Sequence, residues 1–146
     1  MTTKQARGVR LLEAVLCALG SVSLAGCGRA EFKKVPVSGT VTIDGKPFSG
    51  GVLHFYPDPA KGNNARADCL SPVRDGKFNL LTTAVNDRDS GSGAPVGWYK
   101  AYLFTDVPGA PTNIHPRFTT PEKTTVEVEV VENPEAGAYD IKFTSK

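Results

Sequence analysis

The chain has 146 residues, 17 Lys and Arg against 15 Asp and Glu, and a formal net charge of +2. This length suits one domain. Lys4, Arg7 and Arg10 supply the whole basic excess; beyond residue 26 the chain holds 14 bases and 14 acids, and this balance gives no electrostatic case for binding nucleic acid.

Those three bases precede an apolar stretch, Ala14 to Leu24, which ends in Leu24-Ala25-Gly26-Cys27. Signal-type apolar segments run about 7–15 residues, whereas a membrane-spanning helix needs about 20. The arrangement resembles a bacterial lipobox. It implies that residues 1–26 are a cleaved signal peptide and that Cys27 becomes the lipidated first residue of the mature protein. Small residues at Ala25 and Gly26 fit the peptidase site, and the Cys27 thiol is the atom that takes a diacylglyceryl group. Anchoring follows from about 0.8 kcal/mol per buried methylene and needs two membrane signals, which two or three acyl chains on one residue provide. Gly28 stands where aspartate marks inner-membrane retention in many bacteria, so the expected location is the outer membrane of a bacterial envelope.

Residues 27–34 are polar and read as a lipidated tether, which spans at most about 25 Å at roughly 3.5 Å per residue. Residues 35–146 read as the folded domain. Loss of Cys17 and acylation of Cys27 leave Cys69 alone, so no intramolecular disulfide is expected. Cys69 reads as a small buried hydrophobe on a strand.

Period-two patterns follow in chain order. Val35, Val37, Val41 and Ile43 share a face, with Gly39 in register. Asp44-Gly45 marks a turn, and Leu53 and Phe55 then alternate with His54. After a second turn at Asp75-Gly76 come Phe78 and Leu80. Tyr99, Ala101 and Leu103 form one face of a strand whose other face carries Trp98, Tyr102 and Phe104. Val126, Val128 and Val130 alternate with acids, and Tyr139, Ile141 and Phe143 close the chain; a hairpin across residues 133–137 is expected between these two strands. About seven strands with no helical period predict an all-β fold, an antiparallel β-sandwich. Residues 57–66 and 86–95 are expected to be mobile surface loops.

Several motifs occur in order: Val37-Ser38-Gly39-Thr40-Val41-Thr42, Asp44-Gly45-Lys46-Pro47, Gly50 to Pro57, Asp75-Gly76-Lys77-Phe78 and Gly97-Trp98-Tyr99-Lys100. Together they resemble the carboxypeptidase regulatory-like, or transthyretin-like, domain of small bacterial lipoproteins. The later Ile114 to Phe118 and Thr124 to Val128 resemble that group's ending. The resemblance implies a prealbumin-like sandwich and no shared catalytic residues. A transthyretin-like hydrolase of purine breakdown ends in Tyr-Arg-Gly-Ser, whereas this sequence ends Phe143-Thr144-Ser145-Lys146.

Candidate sites are few. His54 and His115 are the two histidines, without the clustered ligands of a zinc site. Asp87 and Asp89 open a loop in which Gly91 takes the place of the next calcium ligand. No metal or other cofactor is therefore expected, and no enzymatic activity. The Trp98, Tyr102 and Phe104 stripe is expected to be a second core layer beneath a loop; if exposed, it would stack on a partner protein or a sugar. The expected function is a membrane-anchored structural or adhesive sandwich that contacts envelope proteins or glycans. The alternative is a carbohydrate or small-ligand module that uses the Trp98 face and the 86–95 loop.

Overall fold

The computed structural model describes residues 33–84, 90–108, 110 and 113–146. Residues 1–32, with the signal segment and Cys27, lie outside this range, as do Asp87 and Asp89 of the 86–95 segment.

The described residues are all-β. The strands are β1 (Lys34–Val35), β2 (Ser38–Ile43), β3 (Lys46–Pro47), β4 (Val52–Pro57), β5 (Ala67–Pro72), β6 (Lys77–Asn79), β7 (Leu81–Ala84), β8 (Gly91–Ser92), β9 (Ala94–Pro95), β10 (Gly97–Phe104), β11 (Glu127–Val130) and β12 (Ile141–Phe143). Setting aside the two-residue strands leaves eight among the described residues, against about seven expected, because the run through Phe78 and Leu80 divides into β6 and β7.

The larger sheet has the order β11-β10-β4-β5-β7-β8, and every ladder in it is antiparallel. The smaller sheet runs β12-β2-β3, with β6 also paired to β2. The inner faces of the two sheets share one core: Leu53, Phe55, Tyr99, Ala101, Leu103 and Val130 from the larger sheet meet Val41, Phe78 and Phe143 from the smaller. The Phe55 ring lies 6.1 Å from Phe78 and 5.9 Å from Tyr99. Each such side chain contributes about 1.5–3 kcal/mol by leaving water, and strict alternation puts all of them on one side of their strands.

Two turns follow directly from sequence. Asp44 and Gly45 have φ of 51° and 77°, and Asp75 and Gly76 have φ of 51° and 72°. Positive φ at both central residues defines the type I′ hairpin turn, whose twist matches the strands it joins. Gly39 is needed for closeness instead: a Cβ there would fall 2.2 Å from the Tyr139 carbonyl oxygen.

Three expectations need correction. The strands on either side of residues 133–137 form no hairpin: β11 belongs to the larger sheet, whereas β12 crosses to the smaller one and pairs with β2 in parallel. Alternation gives a strand's buried face without giving its partner, and Tyr139 helps the crossing by bonding Val131 through its hydroxyl. Residues 57–66 are not a loose loop. Asp58 and Asn63 are buried; the Asp58 amide and the Asn63 side-chain amide both donate to the Trp98 carbonyl, at 3.0 and 2.9 Å. In the 86–95 segment, residues 91–92 and 94–95 form β8 and β9, and Ala94 is fully buried.

Candidate functional site

The outer face of the larger sheet carries the chain's unusual surface chemistry. Along β10, Tyr99, Ala101 and Leu103 point inward, so Trp98, Lys100, Tyr102 and Phe104 must point outward. Trp98 and Tyr102 are half-buried and Phe104 is 43% exposed, so the stripe is an outer surface and not the second core layer the sequence suggested. Register then builds a row across four strands: Tyr102 stands opposite His54, His54 opposite Leu70, and Leu70 opposite Leu81. The His54 and Tyr102 rings stack at 4.9 Å with a 20° interplanar angle. Direct cross-strand neighbours of this kind are the contacts that stabilise a sheet face.

Trp98 is occupied by its own chain. Asp58 caps the turn over Pro59–Lys61, accepting from the Ala60 amide, and Gly62 closes it with φ of 83°. Pro59 at the first position presets the backbone. The turn sets the Lys61 ammonium 3.9 Å from the Trp98 ring centroid, and Lys61 also pairs with Glu127. A cation on the ring face satisfies its quadrupole and takes the surface a sugar would use.

The neighbouring row is open. Tyr56 is 45% exposed and pairs with Lys100 of β10, and it lines one cleft together with Asp68 of β5 and Thr83 of β7, which pair with each other. The 59–66 segment stands beside this row and borders an open cleft of about 630 Å³, whose polar walls include Asn64, Arg66 and Asp68. Tyr56, Arg66 and Asp68 escape a reading by sequence, because the cleft exists only once the Asp58 turn has docked on β10. An outward-facing tyrosine next to a polar loop was the available hint.

The ionisable groups of the inner face are unsuited to chemistry. Cys69 is buried, and burial pushes its thiol up despite the Thr82 hydroxyl 3.5 Å away. The thiolate is the reactive form, so Cys69 is inert, as a structural cysteine should be. Burial also raises the Tyr99 phenol, which donates to the Pro95 carbonyl at 2.7 Å. His115 caps a short turn, its Nδ1 accepting from the Arg117 amide. No group of three metal-ligating side chains occurs among the described residues.

His54 does respond to its setting. Partial burial lowers its pKa from 6.5, and the nearby Asp68 charge partly opposes this. The folded state therefore favours neutral His54, and below pH 6.5 the unfolded chain binds the proton more readily. Stability should fall as pH drops through 6.5. Urea midpoints measured between pH 7.5 and 5 should show the fall, and His54→Gln should flatten it. An equal fall in the variant would assign the effect to other groups.

No family model, curated protein or solved structure matches this chain.

Proposed function

We propose that this protein is a bacterial envelope lipoprotein, cleaved before Cys27, acylated there, and held on the outer membrane. Its β-sandwich, of the transthyretin-like type by sequence resemblance, is a non-catalytic structural or adhesive module that contacts envelope proteins or glycans. The observation that carries this reading is the run Leu24-Ala25-Gly26-Cys27 behind a basic start and a short apolar stretch. One structural feature supports the non-catalytic part: Cys69, the free cysteine of the described domain, is buried, and burial pushes its thiol up.

Cells grown with labelled palmitate test the anchor. The protein should take up label, globomycin should leave the precursor uncut, and Cys27→Ala should take up none. Equal labelling of Cys27→Ala, or no labelling of the parent, would remove the basis for the reading.

A further inference from the structure

We infer that the cleft beside Tyr56 is a binding site for a neutral saccharide. The inference deepens the contact role proposed above by naming a ligand class and a place, and it rests on that role only for the meeting with glycans.

A pyranose ring offers two kinds of surface. One face is a patch of C–H groups that stacks on an aromatic ring, and the rim is a set of hydroxyls that both donate and accept. Tyr56 supplies the ring. It is 45% exposed, on a strand of the rigid larger sheet, and its ring enters none of the ring–ring or cation–ring contacts among the described residues. Trp98, the more obvious platform, is covered by Lys61. A tyrosine has only two side-chain torsions, so its flat surface costs little conformational entropy to use.

The cleft walls supply the polar partners. Asn64 brings an amide, Arg66 a guanidinium and Asp68 a carboxylate, all three exposed. No hydrogen bond or ion pair is made by these three side chains among the described residues. Donors and acceptors are therefore both on offer: the amide gives each kind, the guanidinium only donates and the carboxylate only accepts. This mixture suits hydroxyl groups. It suits a phosphate or a uronate less, since Asp68 sets a carboxylate in the wall beside Arg66 and opposes the charge of Arg66 and of Lys100 across Tyr56. The volume of about 630 Å³ lies inside the roughly 300–1,000 Å³ range of small-molecule sites.

The test is calorimetric titration of the full chain in detergent micelles. The probes are cellohexaose, maltohexaose, xylohexaose, mannohexaose and chitohexaose, with hexagalacturonate and a proline-rich decapeptide as comparators. At least one neutral hexasaccharide should bind with Kd below about 1 mM. Tyr56→Ala should weaken it about tenfold or more, Tyr56→Phe should keep it within about threefold, and Phe104→Ala should leave it unchanged. Asn64→Ala should also weaken it, through a residue far from the core. No binding of any neutral probe, binding of the comparators alone, or undiminished binding by Tyr56→Ala would overturn the inference. Palmitate labelling reads the anchor separately, so failure here leaves that proposal standing.

Discussion

Gly39→Ala is expected to lower the unfolding free energy by about 3 kcal/mol or more, at the upper end of overpacking costs. The added Cβ would sit 2.2 Å from the Tyr139 carbonyl oxygen and 2.8 Å from its carbonyl carbon. Both are backbone atoms, so no side-chain rotation relieves the clash. The 139–140 segment is also fixed on β2, because Thr40 donates to Asp140 Oδ1 from its hydroxyl at 2.7 Å and from its amide at 3.3 Å. Moving Tyr139 would break these bonds and the pairing of its hydroxyl with Val131. Gly45→Ala is the control. No heavy atom lies within 4 Å of its added Cβ, and the cost should be only the roughly 1–2 kcal/mol of a left-handed alanine. Urea unfolding of both variants measures the difference; equal midpoints would mean that the chain crossing at Tyr139 is not as tight as described.

Phe55→Ala is expected to cost about 3–5 kcal/mol, because it removes a ring from the centre of the core and leaves a cavity. Phe55 is 1% exposed, lies on β4 between β10 and β5, and touches rings from both sheets. Domains of this size are stable by only about 5–15 kcal/mol, so the variant should be close to unfolding at 37 °C. The neighbouring Tyr56→Ala should change stability by no more than about 0.5 kcal/mol, as exposed positions usually do. Thermal melts of this adjacent pair check strand facing directly. A large loss from Tyr56→Ala with little from Phe55→Ala would mean that β4 is turned over, and the cleft would disappear with it.

Much of the fold is legible in the sequence because a strand's buried face is a local property. Leu53 and Phe55, Tyr99, Ala101 and Leu103, and Val128 and Val130 alternate with outward residues, and all seven are buried. The Asp-Gly turns are equally local, since two residues with positive φ suffice. Partners are different. The strand carrying Val35 and Val37 looks continuous with Val41 and Ile43, yet it breaks: β1 pairs with β9, and β2 belongs to the smaller sheet. At Leu80 the chain likewise leaves β6 on β2 and continues as β7 on β5, with Leu80 fully buried at the crossing. Period two is unchanged through both events, so nothing in the pattern announces them. The same limit hides the cleft. Trp98, Tyr102 and Phe104 are conspicuous by composition, whereas Tyr56 gains its value from a turn that docks through Asp58 and Asn63 on the Trp98 carbonyl. Asp58-Pro59 is a helix-start pair, and it was the one local sign that residues 57–66 hold a fixed shape.

The central claim is that Cys27 is the first residue of the mature protein and its membrane anchor. The most direct measurement is mass spectrometry of the N-terminal tryptic peptide from protein extracted from cell membranes. The expected peptide is Cys27-Gly28-Arg29, with a diacylglyceryl group on sulfur and no residue before it. A peptide that runs through Leu24-Ala25-Gly26 into Cys27, or a mature Cys27 with an unmodified thiol, would contradict the claim.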